Sequence, residues 1–209
     1  METSHHKVIL ASALVLGAEL CFAGVSALVK YLTTDLPPEQ LVFFRNLTAL
    51  VVLLPWLWRK GPAALKTKAW RFHLTRGIAG VIATYLSFYS IAYLPLAQAT
   101  LVLMLSPFII PIMGWLWLKE YVNRQTWLAI AIGFIGVFIF LNPQQTILSP
   151  IIFVAFIAAC LSAFTKTLIR QMSATESPSK IVFYFASIST VVSGLVLIWR
   201  GETIANEHW

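Results

Sequence analysis

Glu19 stands near the middle of a long apolar run, Val8–Tyr31. A carboxylate placed there costs about 2.5–3.5 kcal/mol on insertion scales, so it is expected to face the interior of a bundle rather than lipid. A desolvated carboxyl can carry a proton, and an ionised one can hold the cationic group of a substrate. The structural alternative is a neutral acid whose hydrogen bonds fix helix packing. Lys30 and Arg45 flank the acidic stretch TTDLPPEQ. They suit a substrate carboxylate or other anion, or ion pairs with Asp35 and Glu39. Tyr85 and Tyr89 lie one helical turn apart and, with Ser87 and Gln98, offer rings, hydroxyls and an amide for lining a pocket. The same groups can instead bond helix to helix.

The stretch Leu96–Glu120, LAQATLVLMLSPFIIPIMGWLWLKE, has to position these groups. Its apolar part is long enough to cross a hydrocarbon core of about 30 Å. Pro107 and Pro111 sit near its midpoint, and each removes a donor and frees a carbonyl one turn earlier, which predicts a kink at mid-membrane. Lipid cannot satisfy those carbonyls, whereas packed neighbours or a wet cavity can. Ala97, Thr100, Met104, Pro107, Pro111 and Gly114 recur at spacings of three and four. The kinked face is therefore also the smooth one, and it reads as the wall of a central cavity.

Composition sets the class. Of 209 residues, 59% are hydrophobic and 11% charged, which excludes an ordinary soluble domain and predicts an all-α membrane protein, a multi-span helical bundle. Seven spans are expected, at Val8–Tyr31, Leu41–Trp58, Phe72–Tyr93, Leu96–Leu118, Thr126–Leu141, Ser149–Ile169 and Ile181–Trp199. The net charge of +7 comes from loops such as RKGPAALKTKAWR, whereas TTDLPPEQ and NPQQT contain no Lys or Arg. That bias explains the charge without nucleic acid and places the N-terminus in the cytoplasm of a cell with this chain in its inner membrane, and the end, RGETIANEHW, outside. Small residues on the third span (Gly77, Gly80, Thr84, Ser87) and the fifth (Ala129, Gly133, Gly136) predict close helix packing. Cys21 and Cys160 fall within apolar runs, no Cys/His cluster has metal-ligand spacing, and no cofactor is implied. His5 and His6 read as solvated. Neither a phosphate-binding GxxxxGK[ST] loop nor an HExxH or GxSxG motif occurs, so ATP-driven transport and intramembrane catalysis are not expected.

Two ordered matches suggest an internal repeat. SALVKYL at Ser26–Leu32 returns as SAFTKTL at Ser162–Leu168, an offset of 136, and Pro38 with Phe43-Phe44 returns as Pro178 with Phe183-Tyr184, an offset of 140. Five spans per unit inverts the second copy, a common plan for secondary transporters whose sites lie between repeats near the midplane. FAGVSALVKYL, LPPEQLVFFRN, Arg76-Gly77, FYSIAYLPLAQATLVLMLSPFIIPIMGWLWLKE and GFIGVFIFLNP together resemble the drug/metabolite transporter superfamily in its EamA-like branch. The resemblance implies ten helices in two inverted five-helix repeats with both termini cytoplasmic. It also implies family positions at Lys30, Arg45, Arg76 and Glu120; a charge at a span end can snorkel to water, so the last two are expected to anchor cytoplasmic ends. On this reading residues 8–141 form the first repeat, and residues 149–199 supply two helices of a second, truncated one. The chain is then a shortened form of a longer transporter, with completion by another chain, as a homodimer, the alternative.

The functional expectation is secondary active transport of a small organic metabolite by alternating access, with the lipid bilayer as its other partner. Glu19 serves coupling, Ser106–Pro111 the flexible centre, and Lys30, Arg45, Tyr85, Tyr89 and Gln98 the substrate. The competing reading is an inactive remnant or a non-transporting membrane partner. Amino acids, nucleotides, cofactors and amphipathic amines all fit the polar inventory.

Overall fold

The computed structural model describes residues 2–141 and 149–200. Among them are eight α-helices and no strand. They are α1 (Glu2–Leu32), α2 (Pro38–Lys60), α3 (Trp70–Tyr93), α4 (Leu96–Leu103), α5 (Ser106–Leu118), α6 (Arg124–Leu141), α7 (Pro150–Met172) and α8 (Pro178–Arg200). A single 3-10 turn, Pro62–Leu65, follows α2. The NPQQT connection and the chain end beyond Arg200, on which part of the charge argument rests, lie outside the described residues.

The expected fourth span is two helices. The chain leaves α4 at Met104 and re-enters helix at Ser106, with Pro107 in the first turn of α5 and Pro111 inside it. Proline cannot donate to Leu103, so the ladder breaks where the sequence predicts a kink. Taken as one stretch, Leu96–Leu118 is one of six that are long and apolar enough to cross a membrane. The helix that falls short of that standard, α3, carries Arg71, His73 and Arg76. It packs on α1, α2, α4, α7 and α8, and its buried face carries His73 and Arg76, whereas Phe72, Leu74, Ile78 and Ile82 stay exposed on the opposite stripe.

Packing follows the small residues. Ala155, Ala158, Ala159 and Ala163 are fully buried on α7, whose main neighbour is α3. Gly77 and Gly80 of α3 receive Ile188 and Phe185 of α8. On α6 the expected small face is used only in part. Gly133 seats Phe108, whereas Gly136 meets open space and Ala129 is exposed, because α6 packs mainly on α4 and α5.

Helices α2 and α8 lie antiparallel. Glu39 at the start of α2 pairs with Arg200 at the end of α8 at 2.6 Å. Further along, Phe43 packs against Gly194, and the Trp56 and Phe183 rings stand 6.0 Å apart. The turns that lead into these two helices are the same structure. Thr33, Asp35, Leu36 and Leu41 donate to Val29, Leu32, Leu32 and Pro37, and Ser173, Thr175, Glu176 and Ile181 donate to Ile169, Met172, Met172 and Ser177. Every donor and acceptor is shifted by 140 positions. The backbone thus selects the offset of 140 and puts the SALVKYL/SAFTKTL match one helical turn out of register. At 140, Lys30 corresponds to Arg170, and Lys166 corresponds to Ser26.

One end of the bundle collects Arg59, Lys60, Lys66, Lys68, Arg71, Arg170 and Lys180, and is called the basic end below. Here the loop after α2 is tied to the turn before α8. Thr67 donates its hydroxyl to Glu176, Lys180 pairs with Glu176 at 2.7 Å and donates to the Lys66 carbonyl, and Tyr184 donates to the Leu65 carbonyl. Burial alone pushes the Glu176 carboxyl up, but bonds from Lys180 and Thr67, with the charges of Lys180 and His73, hold it below the usual carboxylate range. A depressed carboxylate stabilises the fold above its unfolded value of about 4.3, and that contribution disappears as pH falls through the folded value. Melting between pH 7 and pH 4 is therefore expected to show a wild-type loss that Glu176→Gln largely flattens, its midpoint at pH 7 already lowered. Parallel pH curves for the two proteins would refute the latch.

Candidate functional site

The structure divides the sequence-derived residues into three groups. The first surrounds the α4–α5 break. Ser106 is buried at 2% exposure and accepts a hydrogen bond of 2.9 Å from the Lys166 ammonium of α7. Ser106 lies ten residues into Leu96–Leu118, about 15 Å from its start at about 1.5 Å per residue, so the ammonium reaches the middle of the span. Pro107, Ala97 and Met104 are exposed, whereas Thr100 and Pro111 are half-buried and Gly114 is buried, so the smooth kinked face is uncovered only in part. Gln98 and Pro111 are half-buried nearby on the same two helices.

Lys166 matches Lys30 at the offset of 136, and the sequence alone puts it near the cytoplasmic face. Counting from a helix end at Ile169 puts it near the membrane surface. The helix continues to Met172, which draws Lys166 deeper. The signal was present: an ionisable residue within a span marks a site by default.

Glu19 departs from expectation in the opposite sense. It is exposed, because α1 touches α3 and α4 along one edge and leaves the face bearing Glu19 open. Since α4 packs on both α1 and α7, the break lies between the helix of Glu19 and that of Lys166.

The second group lies at the end opposite the basic one. Lys30 does not pair with Asp35 or Glu39. Its ammonium donates to the Ala92 and Leu94 carbonyls at 2.8 and 2.9 Å, satisfying groups that the end of α3 leaves open. Glu39 is taken by Arg200. The Tyr89 and Tyr93 rings pack tilted at 46° with centroids 4.5 Å apart, and both line a cleft of about 400 Å³ with Thr33–Glu39, Ala92 and Arg200.

The third group sits among α2, α3 and α8. Arg45 donates to the Asn46 amide oxygen at 3.5 Å and stands 6.0 Å from the Phe88 ring. Asn46 Nδ2, Tyr85 Oη, Ser189 Oγ and Thr190 Oγ1 are buried without a hydrogen-bond partner. Such orphans cost about 1–3 kcal/mol each, so this junction has capacity for water or a polar ligand. Tyr85 and Tyr89 lie one turn apart on α3, Tyr85 half-buried with its hydroxyl unpartnered and Tyr89 exposed at the cleft. No cluster of His, Cys, Asp or Glu among the described residues could hold a metal ion.

The chain thus combines a helix broken at mid-span, a lysine on the break and two matching turns, and the comparison with known proteins is specific. Residues 9–142 match the EamA-like transporter family. The chain belongs to that family. Among curated relatives it is 30% identical over 184 residues to the pseudopaline exporter CntI of Pseudomonas aeruginosa strain PAO1, covering 88% of this chain and 64% of the exporter. It is 31% identical over 214 residues to a riboflavin transporter of Vibrio cholerae, covering 98% of this chain and 71% of that protein. An S-adenosylmethionine uptake transporter of Rickettsia felis is 30% identical over 180 residues, 86% of this chain and 58% of the relative. This EamA-like chain therefore spans less than two thirds of the exporter and of the S-adenosylmethionine transporter.

Proposed function

We propose that this EamA-like chain serves the transport of a small organic molecule across the cell inner membrane by alternating access, with the basic end and the N-terminus in the cytoplasm. The single observation that carries the reading is the Lys166–Ser106 bond at the α4–α5 break. A discontinuous helix holds backbone carbonyls at mid-membrane, where a substrate or water can use them, and the ammonium favours a carboxylate or other anionic substrate group. Residues 8–141 and 149–199 act as inverted halves, supported by the matching turns and by the antiparallel α2–α8 pair. Glu19, on the open face of α1, is the coupling group. The transporter names of the three relatives support a small-molecule substrate of this general size.

The test is uptake into proteoliposomes of a metabolite identified by thermal-shift screening of the purified protein. Saturable flux driven by a proton gradient, with the gradient dependence lost in Glu19→Gln, is expected. Flux that is equally gradient-dependent in both proteins would remove Glu19 from coupling, and no flux from any stabilising ligand would remove the transport reading for this chain.

A further inference from the structure

The basic end contains a second anomaly that transport does not use. Arg76 of α3 is 8% exposed, no carboxylate pairs with it among the described residues, and its Nε and Nη1 are sealed without a hydrogen-bond partner. Its guanidinium lies 4.3 Å from the Phe185 ring centroid, and a ring face offers a cation far less than an anion does. The sequence expectation, an anchor reaching out to water, is not what the structure shows: packing of α8 on α3 covers the side chain. One turn back, His73 is 2% exposed, stacked 4.2 Å from Tyr184, with both ring nitrogens unpartnered. The acid next to this pair, Glu176, is occupied by Lys180 and Thr67. A buried cation without a counter-ion costs several kcal/mol, so the native arrangement calls for an anion.

Three further facts say where and what kind. Helical side chains lean toward the N-terminus, which brings the Arg76 guanidinium back toward the first turn of α3 and the membrane surface. That turn has no side-chain cap, and the first helical N–H groups before His73 are left for an acceptor. Arg76 Nη2 is the guanidinium nitrogen not sealed from the surface, so an approaching ligand meets it first.

We infer that Arg76, backed by His73 and the open first turn of α3, binds a phosphate-type oxyanion at the basic end of the bundle. A phosphate oxygen accepts a charge-assisted hydrogen bond from Nη2, the one guanidinium nitrogen left open, and phosphate recognition is a role that suits arginine. The phosphate of an anionic lipid headgroup and a soluble phosphate share this chemistry. Occupation holds α3, α8 and the Thr67–Glu176–Lys180 latch together, since Phe185 and Tyr184 pack on the same two side chains.

The experiment is thermal melting followed by tryptophan fluorescence, at constant ionic strength. Inorganic phosphate is titrated onto the detergent-solubilised protein in one arm. In the other, nanodiscs of phosphatidylcholine alone are compared with nanodiscs containing phosphatidylglycerol. An anion-dependent rise of several degrees is expected in wild type and Arg71→Gln. It should be reduced in Arg76→Lys and absent in Arg76→Gln. Without anion, Arg76→Gln should melt at or above wild type, because it removes an uncompensated charge. A rise in detergent with phosphate assigns a soluble oxyanion, and a rise only with phosphatidylglycerol assigns a headgroup. No rise in wild type in either arm, or an equal rise in Arg76→Gln, overturns the site. A rise lost in Arg71→Gln and kept in Arg76→Gln also overturns it, since surface charge alone would then explain it.

Discussion

Lys166→Met is expected to lower substrate flux in proteoliposomes about tenfold or more while moving the melting midpoint little. The reasoning starts from exposure. Lys166 is not buried, and its one hydrogen bond is to Ser106, so methionine of similar length removes a charge without opening a cavity in the bundle. Loss of a hydrogen bond to a charged substrate group costs about 1.5–3 kcal/mol, and 1.4 kcal/mol is a factor of about ten in affinity. Removal of a charge from a lipid-facing position would by itself favour insertion, which gives the two explanations opposite signs. Lys166→Arg should retain part of the flux, because it keeps the cation but not the reach. Ser106→Ala should weaken transport less, since the ammonium can still meet the substrate and the carbonyls freed at the break. Wild-type flux in Lys166→Met would exclude the ammonium from the substrate path and leave the break as a purely structural bend.

The elements of this fold were legible because each long helix is apolar enough to be read by length, and the proline pair breaks the fourth span at Met104–Leu105 as the chemistry requires. What was not legible is which face of each helix finds a partner. Hydrophobic periodicity carries little information in lipid, where outward and inward faces are both apolar. Glu19 shows this: burial cost argues that it faces protein, yet α1 packs along another edge. Lys30 shows a second limit. Its partners are backbone carbonyls of Ala92 and Leu94, and no pairing rule based on side-chain charge points to a helix end more than sixty residues away. The repeat had the opposite fate. Residue identity favoured two offsets, and only hydrogen bonds in the turns, which depend on backbone shape rather than side-chain type, decide for 140.

The glycines of α3 and α6 separate a packing role from a compositional habit, and Gly77→Ala and Gly80→Ala are expected to lower stability by about 1–3 kcal/mol each. A Cβ on Gly77 would come within 2.7 Å of Ile188 Cγ2 and 2.9 Å of its Cβ. The second atom is next to the backbone, so the clash cannot be relieved by a rotamer change, and α3 and α8 must separate. On Gly80 the added atom would lie 2.6 Å from Phe185 Cε2. That ring has a free end in principle, but the Arg76 guanidinium occupies its face. Gly136→Ala is the internal comparison. Nothing lies within 4 Å of its Cβ, so helix propensity alone acts, and the change should be neutral or stabilising by up to about 1 kcal/mol. Melting of the three variants in the same micelle checks the contrast. Equal midpoints for Gly77→Ala and Gly136→Ala would mean that α3 and α8 do not approach as closely as the Ile188 contact requires. The α2–α8 pairing would then lose the support of α3, which packs on both helices, and with it the antiparallel arrangement from which the two inverted halves are proposed.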